Sequence, residues 1–146
     1  RKVQMHNGAA VAILREEVQA TIDSAAAYPE LAGYSAQLNA TLDQVEQTIA
    51  AVVACDDNSL ALANATIFLD AMGHAVIAWM WLIQAVAASA GLAKGESTDR
   101  DFYAGKLAAT NFFFRYELPK AKASLELVAD LDSTCYDLTA EQFLGQ

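Results

Sequence analysis

Residues 71–93 read AMGHAVIAWMWLIQAVAASAGLA, and the reading of this stretch decides the fold. His74, Gln84 and Ser89 are its only clearly polar side chains. Extended upstream to Ser59, the segment to Ala90 carries one charge, Asp70. As a continuous helix it would span roughly 48 Å at about 1.5 Å per residue. That is long enough to cross a bilayer, so a membrane span has to be weighed. Its many alanines are only weakly hydrophobic, and no basic residues flank its start. A central helix buried by other helices is the better reading. Gly91-Leu92-Ala93-Lys94-Gly95 supplies the glycine stop.

The flanking segments have the pattern that such a helix needs. From Ala9 to Ala27, Val11, Leu14, Val18 and Ile22 recur at spacings of three and four, with Arg15, Glu16, Gln19 and Asp23 between them. Tyr28-Pro29 stops this helix, because proline disfavours helical backbone in the residue before it. From Pro29 to Ala54, Leu38, Leu42, Val45, Ile49 and Val52 form a narrow apolar seam. Asp56-Asp57-Asn58 is a polar break with N-cap candidates for the third helix, Ser59 to Ala90. A fourth helix is expected from Thr98 to Leu131, with Tyr103, Leu107, Phe114, Leu118, Leu125 and Val128 along one side. Pro119 should kink or divide it. The tail after Asp132 reads as a short irregular wrap closed by Leu138, Phe143 and Leu144.

Composition agrees. The 146 residues suit one domain. Thirty-one alanines against seven glycines and two prolines favour long helices over an all-β sandwich or barrel. The expected fold is all-α, an antiparallel four-helix bundle of long helices with the third one central, since short connections favour antiparallel neighbours. A net charge of −9 disfavours nucleic acid, and it disfavours an anionic membrane surface. Arg1 rather than methionine opens the chain, as in one processed, cut from a longer protein or trimmed. No leading basic-plus-apolar stretch reads as a signal peptide. Cys55 and Cys135 lack metal spacing and read as two free thiols in a reducing, cytoplasmic compartment; one disulfide is the alternative.

Catalytic patterns are scarce. Neither His6 nor His74 has a glutamate three residues before it, so the carboxylate-bridged di-iron motif is absent. No Cys-x-x-Cys-His, phosphate-cradling glycine loop or Gly-x-Ser-x-Gly elbow occurs. Met5-His6 is a haem-ligand pair only of the kind that chance supplies. Asp70 and His74 lie four apart on one helix face, where they read as a polar spot on a bundle helix rather than an acid–base pair. Trp79-Met80-Trp81 and Phe112-Phe113-Phe114 are three-residue runs whose side chains point about 100° apart. Each run therefore sits on a helix covered on more than one side, by a thick core or by a surface outside the chain.

One stripe sharpens that choice. Thr66, Asp70, His74, Ile77, Trp81, Gln84 and Ala88 follow one another by threes and fours, beginning polar and turning apolar. The opposite stripe, Leu69, Met72, Val76, Met80, Ile83 and Val86, is apolar throughout and is expected to face the core. Ile77 and Trp81 are thus the candidate docking surface, since tryptophan is enriched at interface anchors.

Several of these residues carry a family resemblance. Arg1-Lys2 followed by Met5-His6-Asn7-Gly8, the tryptophan-bearing stretch Gly73 to Ala85, Phe102-Tyr103-Ala104-Gly105-Lys106-Leu107 and Leu118-Pro119 occur in order over nearly the whole chain. The chain resembles the extra C-terminal domain of acyl-CoA dehydrogenases similar to 3-methylthiopropanoyl-CoA dehydrogenase. The resemblance implies that residues 1–8 are the tail of a preceding catalytic core and residues 9–146 a single helical bundle domain. It implies an FAD-dependent parent that oxidises the α–β bond of an acyl-CoA. The parent's glutamate base, flavin segments and CoA segments would precede Arg1. No catalytic, cofactor-binding or metal residue is therefore expected within this chain. The implied partners are the catalytic core of the same polypeptide and a second copy in a homodimer. Neither nucleic acid nor membrane is an expected partner. The alternative is a free-standing helical interaction or sensor bundle, which the upstream reading frame would distinguish.

Overall fold

Local chemistry punctuates the chain where the sequence places its prolines and caps. In the computed structural model, which describes residues 9–95 and 98–145, α1 runs Ala9–Ala25. The expected core tail at residues 1–8, with Met5 and His6, lies outside the described residues. Tyr28 is extended (φ −124°, ψ 94°), as its proline neighbour requires. Pro29–Leu31 forms a 3-10 turn whose Leu31 is fully buried, and α2 follows over Ala32–Ala54. The Asp57 carboxylate accepts hydrogen bonds from the Ser59 and Leu60 N–H groups at 2.9 and 3.1 Å, capping α3, Asn58–Ala63.

The expected single third helix is in fact two. Asn64 leaves helical geometry (φ −105°, ψ 23°), and α4 runs Ala65–Ala93. The cause is tertiary: the Asn64 side-chain amide donates to the Asp132 carbonyl at 2.8 Å. That carbonyl lies just past Leu131, a non-glycine residue at φ 53° where the last long helix closes.

The expected fourth helix is divided at its proline. It comprises α5 (Arg100–Phe112), a π-helical turn (Phe113–Glu117) and α6 (Leu118–Ala129). Pro119 has no N–H to return to the Arg115 carbonyl, and its ring would crowd that carbonyl in a regular helix. The turn widens instead: the Leu118 N–H reaches back five residues to the Phe113 carbonyl. A short α7, Ala140–Leu144, ends the described chain. Here the expected wrap fails. Phe143 and Leu144 stand 73% and 69% exposed, because the Thr139 capping box and Gly145 close this helix locally and no core groove receives it. The described residues contain no strand.

Helix α4 is central, packed by α1, α2, α5 and α6. Its Trp79 indole N–H donates to the Thr21 hydroxyl at 2.7 Å on the α1 side. On the α5 side, the Lys106 ammonium donates to the Gln84 side-chain oxygen at 2.9 Å. The seams read in α1 and α2 hold: Val18, Leu38, Leu42 and Val45 are buried. The core stripe expected on α4 holds only in part: Met72 and Val86 pack partly buried against the core, and Leu69, Met80 and Ile83 are exposed. The buried face of α4 is Ala71, Ala75, Ala78, Leu82, Ala85 and Ala88. Alanine lets neighbouring backbones approach, and the bulk comes from Leu31, Leu38, Leu42, Phe114 and Leu118.

Close approach is tightest at Gly91. A Cβ placed there would lie 2.5 Å from Cε2 of Tyr103, well inside van der Waals contact. We expect Gly91→Ala to push the Tyr103 ring aside and destabilise the chain by about 1–2 kcal/mol. Urea unfolding should show the loss, and unchanged stability would mean that the ring swings out freely.

Candidate docking surface

Helical rotation of about 100° per residue gathers the large side chains of α4 away from its alanine face. Leu69, Val76, Ile77, Met80 and Ile83 fall within an arc of about 120°. Leu69 is 70% exposed, Ile77 47%, Ile83 40% and Met80 38%, while Val76 is half-buried. From Leu69 to Ile83 this ridge runs for about 21 Å. At Gly73 an added Cβ would meet nothing within 4 Å, so the ridge has an open notch there.

Of the two expected docking residues, Ile77 lies on this ridge and Trp81 on its border. Trp81 is half-buried, and the Lys106 ammonium sits 5.7 Å from its ring centroid and 5.4 Å from that of Phe102. Its backbone carbonyl accepts from the Thr110 hydroxyl at 3.4 Å. The tryptophan is thus anchored toward α5, and the isoleucine stands in the open. Leu69, Met80 and Ile83, assigned to the core from their periodicity, join Ile77 outside. Hydropathy could not separate the faces, because large apolar side chains occur on every side of α4. The usable signal was the small-residue series Ala71, Ala75, Ala78, Ala85.

Asp70 and His74 border the same ridge beside a depression of about 390 Å³ lined by Thr66, Leu69, Asp70, Gly73, His74 and Ile77. The His74 Nδ1 lies 2.9 Å from the Asp70 carbonyl oxygen and 3.6 Å from its carboxylate. A carbonyl only accepts, so Nδ1 is the donor of this contact. The imidazole lies beside Phe113, with ring centroids 6.3 Å apart. The pair is a polar edge to an apolar face.

Other chemistry stays dispersed. No trio of histidine, cysteine, aspartate or glutamate gathers for a metal among the described residues. Cys55 and Cys135 are separate free thiols, the first half-buried and the second exposed. An open groove of about 710 Å³ between α2 and α6 is lined by amides and acids, including Gln37, Gln44, Asp43, Glu126 and Asp130, with Lys122 as its cation.

Two comparisons now bear on this helical unit. Residues 14–139 match the family described as acetyl-CoA dehydrogenase C-terminal like. The chain is also 30% identical, over 152 aligned positions, to the broad-specificity linear acyl-CoA dehydrogenase FadE5 of Mycobacterium tuberculosis. That alignment takes in 98% of this chain and 25% of the relative, so the chain spans about a quarter of the relative's length. With the match running from α1 through to the segment before α7, the chain belongs to the family of acyl-CoA dehydrogenase C-terminal domains.

Proposed function

We propose that the chain is the non-catalytic C-terminal domain of an FAD-dependent acyl-CoA dehydrogenase, of the subgroup similar to 3-methylthiopropanoyl-CoA dehydrogenase. The parent would oxidise the α–β bond of an acyl-CoA. The observation that carries this reading is the alignment of nearly all of this chain with a quarter of an acyl-CoA dehydrogenase. In it, Ile77 and Trp81 belong to the side that packs on the catalytic core, and the parent is a cytoplasmic homodimer. The long members, α1, α2, α4 and the α5–α6 pair, would form a four-helix bundle whose consecutive members are antiparallel.

The residues lining the groove between α2 and α6 do not fit FAD. A flavin dinucleotide presents a pyrophosphate, which is held by helix N-terminal N–H groups or by cations. The groove between α2 and α6 instead offers Asp43, Glu126 and Asp130 beside Lys122. In this proposal flavin, CoA and the proton-abstracting base belong to the rest of the polypeptide.

Expression of the full reading frame and of this chain separately tests the proposal. The full polypeptide should retain FAD and reduce an electron acceptor with acyl-CoA. The isolated chain should be colourless and inert. Stoichiometric FAD retained by the isolated chain through gel filtration, or a start codon just before Arg1, would overturn it.

A further inference from the structure

We propose that the α4 ridge of Leu69, Val76, Ile77, Met80 and Ile83 is covered by the portion of the same polypeptide that lies outside this chain, through an apolar face of that portion. This rests on the reading of the chain as one domain of a longer enzyme, and it names the surface that the enzyme uses.

The ridge asks for a cover. Only 39% of the most apolar eighteen-residue window of α4 is buried, although the helix is the centre of the fold. Soluble proteins seldom leave a contiguous apolar strip of this length in water, and such strips mark interfaces. The ridge is also built rather than incidental. Its alanines take the core, which frees the bulky side chains for the opposite side.

Three occupants compete. A bilayer span is favoured by basic anchors at both helix ends, and α4 has Lys94 at its C-cap but no lysine or arginine within Ala65–Ala93 or just before it. Asp70, 71% exposed at its side chain, would moreover sit beside the hydrocarbon. A second copy would set this ridge against itself. The Asp70 carboxylate on its border would be brought toward its own copy, and Ala65–Ala93 contributes no lysine or arginine to meet it. The remainder of the polypeptide has neither drawback. Three quarters of the aligned relative lies outside the matched region, so ample surface is tethered to this domain. Tethering gives that surface a millimolar-range effective concentration, which lets a modest apolar contact persist.

The test uses the full polypeptide with its other reactive cysteines removed, carrying either Met80→Cys on the ridge or Phe143→Cys on α7. Both positions are open to solvent within this chain. Labelling by a soluble maleimide, localised by peptide mass spectrometry, is expected to run at least about tenfold slower at position 80 than at position 143, since a tethered contact is mostly closed. Equal rates would overturn the proposal. Protection at position 80 that disappears on dilution would assign the ridge to a second copy, and protection that appears only with anionic vesicles would assign it to a membrane; both overturn it. Flavin content and acyl-CoA oxidation, read on the same preparation, report on the enzyme reading separately. Their loss with protection retained would overturn that reading and leave the covered ridge standing.

Discussion

Replacing Phe114 by alanine is expected to destabilise the domain by about 3–5 kcal/mol, the range for truncating a buried aromatic. Phe114 is 1% exposed and is the second residue of the π turn that joins α5 to α6. Its ring packs on Tyr34 of α2 with centroids 4.8 Å apart, and it belongs to the main cluster with Leu31, Leu38, Leu82 and Leu118. Losing the ring removes apolar burial and leaves a cavity between three elements. Those walls cannot close independently, because Pro119 holds the turn on one side and Pro29–Leu31 fixes the start of α2 on the other. At about 2–4 °C per kcal/mol for chains somewhat longer than this one, the melting temperature should fall by roughly 6–20 °C. Phe112, two residues earlier, is the control. It is 54% exposed and stacks only on Tyr116, so Phe112→Ala should cost under about 1 kcal/mol. Thermal and urea unfolding of both variants checks the contrast. Equal losses would show that the π turn does not direct Phe114 inward.

That contrast shows where sequence reading succeeds. In α1, α2 and α6 polar residues separate the apolar ones, so the seam through Val18, Leu38, Leu42, Val45, Leu125 and Val128 could be read directly and is buried. Pro29 and Pro119 act on the backbone beside them, and both boundaries lie where steric rules place them. The break at Asn64 was illegible because its partner, the Asp132 carbonyl, is sixty-eight residues away. The tail misled for a related reason. Leu138, Phe143 and Leu144 resemble a core wrap, yet nothing local says whether a groove exists to take them. On α4 the difficulty was physical. With apolar residues on all sides, periodicity in hydrophobicity vanishes, and only periodicity in size remains. In the expected docking pair, Ile77 carries no mark that distinguishes it from a core isoleucine, and Trp81 is visible as a large side chain but not as one held beneath Lys106.

Size periodicity makes the second large prediction. Ala78→Leu should destabilise the domain by about 3 kcal/mol, the upper end for overpacking a well-filled core. Ala78 is fully buried on the face that α4 turns to its neighbours, and Leu82 is stacked one turn away. In a close-packed core three added carbons must displace a helix or twist the inserted side chain off its rotamer. On hydrophobicity alone the same change should stabilise, since leucine buries more apolar area than alanine. The sign of the result therefore decides between packing and hydropathy as the force that orients α4. Ile77→Ala, one residue earlier, removes bulk from the exposed ridge and should shift stability of the isolated chain by no more than about 0.5 kcal/mol. If urea unfolding finds Ala78→Leu neutral and Ile77→Ala costly, α4 is rotated by roughly a quarter turn or more, and both the alanine core and the docking ridge are wrongly assigned.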